Sequence, residues 1–146
     1  TGFTRFSADV QSANHAAKPQ GDKLKRLQET YRLVDIAEQV LVDQSADLDE
    51  FGRLLDYTWK LKRGTGAKVS TDSIDALYEK GMRAGALGGK LLVAGGGGFL
   101  LFYVRPEHQA AVKEAMRDLL YVPFAFENGG TRIIHYTPES YTPKEV

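Results

Sequence analysis

The stretch GGKLLVAGGGGFLLFYV, Gly88 to Val104, decides the architecture. Two short apolar runs, KLLVA and FLLFYV, are bounded by glycine, the pattern of buried strands. Between them stand four consecutive glycines, Gly95 to Gly98. Glycine loses more backbone freedom on folding than any other residue, so a tetraglycine inside a domain needs a reason. One reason is ligand approach: with no side chains in the way, successive N–H groups can form a concave anion site. The other is a flexible hairpin tip or a crowded helix–sheet contact. Two phosphate motifs are excluded. A P-loop needs Gly-Lys followed by Ser or Thr, whereas Gly98 is followed by Phe99 and Leu100. A dinucleotide fingerprint needs a helix directly after its glycines, and here an apolar strand pattern follows.

The segments before this stretch have helical periods. From Asp22 to Val42, apolar residues fall at Leu24, Leu27, Tyr31, Val34, Ala37 and Leu41, a stripe of the kind a helix turns to the core. Asp47 reads as the N-cap of a second helix, with Glu50 three positions on, close to a capping box. That helix carries Leu48, Phe51, Leu54, Leu55, Thr58 and Trp59 on its inner side. It stops near Gly64, with Lys60, Lys62 and Arg63 in its last turn. RGTGAKVS is a loop by composition. A third helix begins after Ser70 or Thr71, with Asp72 and Asp75 in its first turn. Its apolar side is Ile74, Leu77 and Tyr78, and Gly85 closes it.

After the two apolar runs, Pro106 opens a further helix. It is expected to reach Leu120, with Val112, Ala115, Met116 and Leu119 on one face. YVPFAF and TRIIHY read as strands joined by the turn ENGG, the first an edge or bulged strand because Pro123 cannot donate to a ladder. The tail, residues 137–146, is irregular. Three helices, two strands, a helix and two strands with tight connections predict an α+β fold. The natural architecture is a ferredoxin-like sandwich: an antiparallel four-stranded sheet with helices packed on one face. Residues 1–146 form one domain of ordinary size.

Composition narrows the function. Lys plus Arg and Asp plus Glu each number 19, so no global field concentrates nucleic acid or anionic membrane. No cysteine occurs, which removes disulfides, zinc ribbons and thiol nucleophiles and suits a reducing, cytoplasmic setting. TGFTRFSADV, residues 1–10, lacks the basic and apolar segments of a signal peptide. The apolar run from Leu91 to Val104 is too short and glycine-broken to span a bilayer. His15, His108 and His135 have no metal-site spacing, and no nucleophile elbow of the Gly-x-Ser-x-Gly type is present.

The longer segment ALYEKGMRAGALGGKLLVAGGGGFLLFYV, Ala76 to Val104, resembles the third signature motif of the GHMP kinases. The likeness is greatest to the branch of heptose 7-phosphate kinases. Members carry a helix ending near Ala-Gly-Ala, then Gly-Gly-Lys-Leu-Leu-Gly-Ala, four glycines and Phe-Leu-Leu-Phe. TGFTRFSADV looks like the segment leading into that branch's C-terminal half, and TRIIHY looks like its closing strand. The chain departs from the pattern at Val93, where the family has glycine; a branched side chain restricts the backbone and fills space beside the loop. The family's ATP loop, approximately Pro-x-x-x-Gly-Leu-Gly-Ser-Ser, does not occur. The family's catalytic acid and phosphate-binding lysine belong to the same N-terminal half.

The resemblance therefore implies the C-terminal domain of an ATP-dependent sugar kinase acting on a heptose phosphate or related sugar. Its partner is the missing N-terminal domain. ATP and Mg²⁺ serve the intact kinase, and this chain alone is expected to bind neither and to be inactive, with no catalytic residue of its own. Ala94, Gly95, Gly96, Gly97 and Gly98 are expected beside the nucleotide phosphates, and Arg5 and Lys90 towards the sugar phosphate. Arginine's fork suits phosphate, though a solvated surface position is the commoner place for Arg5 and an equal alternative for Lys90. Lys60, Lys62, Arg63 and Lys68 read mainly as a solvated basic helix end. An excised half should expose an apolar face and tend to form a homodimer. The alternative is a stand-alone ferredoxin-like module that binds a small ligand or a subunit without catalysis.

Overall fold

The computed structural model describes residues 21–64, 69–92 and 98–133. Its elements are α1 (Gly21–Val42), α2 (Asp49–Arg63), α3 (Asp72–Arg83), β1 (Ala86–Leu92), β2 (Phe99–Val104), a 3-10 turn (Pro106–His108) and α4 (Gln109–Ala115). No helix among these residues is long and apolar enough to cross a membrane.

Local chemistry accounts for the ends of α3. The Thr71 hydroxyl accepts from the Ile74 amide at 3.3 Å, satisfying a donor that the first turn leaves orphaned. Asp72 and Asp75 stand at the positive end of the helix dipole. Beyond Ala84, Gly85 takes φ +113°, and its amide donates to the Met82 carbonyl at 3.1 Å. Glycine closes this helix because residues with a Cβ resist that conformation.

The start of α2 differs from a capping box. The Asp47 carboxylate accepts from the Asp49 amide at 3.0 Å, and the Asp47 carbonyl accepts from the Glu50 amide at 2.9 Å. The Glu50 carboxylate turns instead to Arg53, three residues on, a pairing that geometry favours on a helix surface. The buried side is also rotated from the expected one. Leu48 is exposed, whereas Asp49, Gly52 and Trp59 are buried. Asp49 tolerates burial because the Arg105 guanidinium reaches it, Nε to Oδ2 at 2.6 Å, and a buried charge needs a partner.

β1 and β2 form an antiparallel hairpin with Leu92 opposite Phe99, Lys90 opposite Leu101 and Ala86 opposite Val104, and a bulge lies between Ala86 and Gly88. β1 begins at Ala86, so it takes in Gly88 and Gly89 ahead of the apolar run. Those glycines are where α2 meets the strand. A Cβ added at Gly88 would overlap the Gly52 carbonyl oxygen and stand 2.9 Å from the Asp56 amide nitrogen. Bare backbone on both sides lets α2 lie against β1. The Tyr78 hydroxyl joins the same edge, accepting from the Gly89 amide and donating to Asp56 Oδ1 at 2.8 Å. Burial first, and the bond to Asp56 second, push the Tyr78 phenol well above its ordinary value.

The core gathers Trp59, Val69, Ile74, Tyr78 and Leu91, with Met82, Leu100 and Phe102 packed against it. Tyr78 stands between two rings, 6.1 Å from Trp59 and 5.7 Å from Phe102, centroid to centroid. α2 therefore reaches both sides of β1. Gly52 faces Gly88 and Tyr103, while Trp59 joins Leu91, one pleat on and on the other side. Among the described residues, α2 thus contacts both sides of the hairpin rather than one face alone.

Three other expectations are corrected. The stripe of α1 is not the packed side: Leu24, Leu27, Tyr31, Val34 and Leu41 are exposed, and Leu33 is buried. α1 meets α2 through the side that carries Leu33 and Arg26, whose guanidinium lies against Gly64. Periodicity shows that a stripe exists, not which neighbour it meets. The last helix ends at Ala115, short of Leu120, and continues as turns through Leu119. Only Val112 of α4 is buried and Leu120 is exposed, so no packing supports a further turn.

The sheet has two strands among the described residues, not four. Residues 121–133 carry no strand. The ENGG turn does form, with the Gly129 amide donating to Glu127 Oε1 at 2.7 Å, Arg132 paired to Glu127 at 3.1 Å and Gly130 at φ +63°. A turn needs only neighbours, whereas a ribbon needs a third strand or a helix to lie on. Here Phe124 and Phe126 are exposed and pack edge-on against each other, 5.8 Å apart. The rest of TRIIHY and the tail lie outside the described residues.

Candidate functional site at the glycine turn

β1 and β2 carry the chain to and from the glycine run. Lys90 lies two residues before the end of β1, and Gly98 immediately precedes β2. Gly98 takes φ +118°, a conformation that side chains strongly disfavour. A glycine is thus required at the descending end of the turn, whatever the turn binds. Phe99, the first residue of β2, is exposed.

Ala94, Gly95, Gly96 and Gly97, with Val93, lie outside the described residues, as does Arg5. Lys90 is half-buried on β1. It stands within electrostatic reach of Lys62, in the last turn of α2. Burial first, and repulsion from Lys90 second, pull the Lys62 ammonium below the usual lysine value.

Two further cations of that helix end are ion-paired. Lys60 pairs with Asp56 Oδ2 at 2.6 Å, and Arg63 pairs with Asp75 at 2.7 Å. Ser70 Oγ donates to the second Asp75 oxygen at 2.6 Å. A shallow cleft of about 580 Å³ opens between the end of α2 and the start of α3, but Asp75 already holds its arginine. The basic helix end expected from sequence thus divides into two ion-paired groups and one lysine held near Lys90; Lys68 lies outside the described residues. No spacing rule links Lys62 to Lys90, because packing of a helix end on a strand brings them together.

Placing two ammonium groups near each other is costly when one is half-buried. An anion between or beside them offsets that cost. Lys90→Met is expected to raise stability by about 0.5 kcal/mol at pH 7, allowing for solvent screening. Lys62 binds its proton less readily in the folded chain than in the unfolded chain. The repulsion therefore acts below its lowered folded value and fades as pH rises through it. Urea titrations of both proteins at pH 7 and pH 10 check this: the gain should shrink at the higher pH, and a gain that grew would contradict it.

No group of three or more His, Asp or Glu side chains converges to hold a metal among the described residues.

Three comparisons bear on this hairpin. A family profile described as "GHMP kinases C terminal" matches residues 36–122, more than half of the chain. The D-glycero-alpha-D-manno-heptose 7-phosphate kinase of Campylobacter jejuni is 32% identical over 72 residues, which is 49% of this chain and 21% of that protein. The crystal structure of L. major mevalonate kinase in complex with R-mevalonate superposes with a TM-score of 0.67 and 27% identity, covering 80% of this chain and 36% of that one. The chain thus spans about a fifth of the first protein and about a third of the second. The matched residues hold α2, α3, the hairpin and α4, and on that ground the chain belongs to the GHMP kinase C-terminal domain family.

Proposed function

We propose that this chain is the C-terminal part of an ATP-dependent sugar kinase that phosphorylates an alcohol group of a heptose phosphate or related sugar. The observation that carries the reading is a family hairpin whose strands are linked through a segment with four consecutive glycines in sequence, the last of them, Gly98, at φ +118° beside β2. The sugar is argued from the partial likeness to a heptose 7-phosphate kinase.

Phosphoryl transfer asks for an in-line nucleophile, a held γ-phosphoryl group and neutralised charge, with little covalent help from protein. In this reading a separate N-terminal domain brings ATP and Mg²⁺. The bare turn, Ala94 to Gly98, lets that domain's backbone and a phosphate share a narrow space. Lys90, with Lys62 behind it, supplies positive charge on the sugar-phosphate side, and Arg5 is the second candidate there.

The test compares two proteins in an ADP-release assay with ATP, Mg²⁺ and heptose 7-phosphate. This chain alone should show no turnover. Joined behind an ATP-binding GHMP half, it should turn over, and Lys90→Met in that protein should raise KM for the sugar phosphate by about tenfold, the value of one charge-assisted contact. Turnover by the chain alone would end the two-domain division. A joined protein that accepts mevalonate but no sugar phosphate would end the sugar assignment.

A further inference from the structure

The ENGG turn holds chemistry that the hairpin and its glycines do not use. It lies beyond residues 36–122, outside what the family shares. The chain has two asparagines, Asn14 and Asn128, and only Asn128 is followed by glycine. An asparagine places an electrophilic carbon, Cγ, where the next main-chain nitrogen can close a ring onto it. Three things ordinarily prevent that closure. The next residue has a side chain that crowds the approach, a hydrogen-bonded element fixes the backbone, and an amide that keeps its proton is a weak nucleophile.

None of the three protects Asn128. Gly129 has no Cβ to stand in the way. Residues 121–133 carry neither helix nor strand, and Asn128 is exposed, its side chain without a hydrogen bond among the described residues. Glu127 answers the third. Its Oε1 accepts from the Gly129 amide at 2.7 Å, the short distance of a charge-assisted bond, so a carboxylate already lies on the proton that must leave. Arg132 Nη2 pairs with the other oxygen, Oε2, at 3.1 Å and keeps the carboxylate at the turn. Both side chains are exposed, so water is at hand.

We propose that Asn128 is a self-modifying residue, cyclising onto the Gly129 nitrogen with Glu127 as the proton acceptor. The Gly129 nitrogen bonds to Asn128 Cγ as its proton passes to Glu127. The Cγ–Nδ2 bond then breaks, and the amide nitrogen leaves as ammonia, taking the proton from Glu127. Water opens the resulting succinimide. Opening at Cγ gives aspartate, and opening at the main-chain carbonyl gives isoaspartate, whose backbone runs through the former side chain. One water is consumed and one ammonia released, with no oxidation or reduction. Either product adds a negative charge beside Glu127, and isoaspartate also lengthens the turn. The reaction does not depend on the kinase reading.

The 146-residue chain, held in neutral buffer at body temperature and digested at intervals, tests this by tandem mass spectrometry. Asn128 should lose its amide while Asn14 keeps it, and the aged chain should become a methyl acceptor for an isoaspartyl methyltransferase. Glu127→Gln still offers an oxygen to the Gly129 amide but cannot take its proton. It should slow conversion about tenfold, less than a general base gives in a closed site because this one is open to water. Gly129→Ala should slow it as well, since the new Cβ would stand 2.9 Å from Glu127 Oε1 and 3.5 Å from Arg132 Nε. Circular dichroism and Trp59 fluorescence should be the same for all three proteins, because the turn is exposed. An Asn128 that persists as long as Asn14 overturns the inference. So does a Glu127→Gln variant that converts as fast as the parent, which would leave Asn-Gly chemistry without the carboxylate.

Discussion

Gly88→Ala is expected to destabilise the domain by about 3 kcal/mol or more, at the upper end of what an added methyl costs in a packed interior. The new Cβ would overlap the Gly52 carbonyl oxygen and stand 2.8 Å from its carbon and 2.9 Å from the Asp56 amide nitrogen. All three obstacles are main-chain atoms of α2, so no side-chain rotation relieves them. Relief requires α2 to move off β1, which pulls Trp59 out of the core it shares with Leu91. Gly21→Ala is the control: its Cβ meets nothing within 4 Å at the start of α1, and it should be neutral or stabilising by up to about 1 kcal/mol. Urea unfolding followed by the fluorescence of the single tryptophan measures both. A Gly88→Ala loss under about 1 kcal/mol would show that the α2–β1 approach is looser than described.

Trp59→Ala should cost about 3–5 kcal/mol, the range for deleting a large buried aromatic. Trp59 is 1% exposed and holds Tyr78, Val69, Ile74 and Leu91 together. Its indole Nε1 has no hydrogen-bond partner among the described residues, so part of what the ring contributes is offset by a desolvated donor. Trp59→Phe removes that donor and keeps an aromatic ring beside Tyr78. It should therefore cost less than half as much as alanine. Circular dichroism during urea titration reads both variants, since each removes the fluorophore. Equal losses would mean that the Nε1 group is hydrogen-bonded in solution and that this bond, rather than ring volume, sets the cost.

These predictions turn on residues that one-dimensional reading treated unequally. The hairpin was legible because KLLVA and FLLFYV carry a local signal: apolar, β-rich and bounded by glycine. α3 was legible for the same reason, with the Thr71 cap, acidic first turn and Gly85 stop all lying within its own span. Gly88 was quoted as part of a motif, but its partner Gly52 passed unnoticed in the middle of α2. A glycine inside a helical pattern looks like a propensity defect until the strand it approaches is known. Asp49 was hidden similarly, since an acidic residue in a first turn reads as exposed until Arg105 arrives from beyond β2.

The candidate site divides along the same line. Gly98 and Lys90 were named from the motif, and the structure adds a left-handed backbone at the one and a half-buried neighbour, Lys62, at the other. Lys62 had been grouped with Lys60 and Arg63 as solvated charge. Lys60 and Arg63 pair with Asp56 and Asp75, and Lys62 is half-buried within electrostatic reach of Lys90. Strands at YVPFAF and TRIIHY were read from composition, yet residues 121–133 hold only the turn, because a ladder depends on a partner that composition does not specify.

Composition, glycine punctuation and period were enough for an α+β domain and its hairpin, and likeness to a contiguous motif pointed to the family. Each of those follows from interactions within a few residues or from a contiguous motif. The side of α1 that packs, the bare Gly52–Gly88 contact and the meeting of Lys62 with Lys90 came from three-dimensional packing. They depend on how separate elements press together, and a periodic stripe or a lone charge carries no record of the neighbour it will meet.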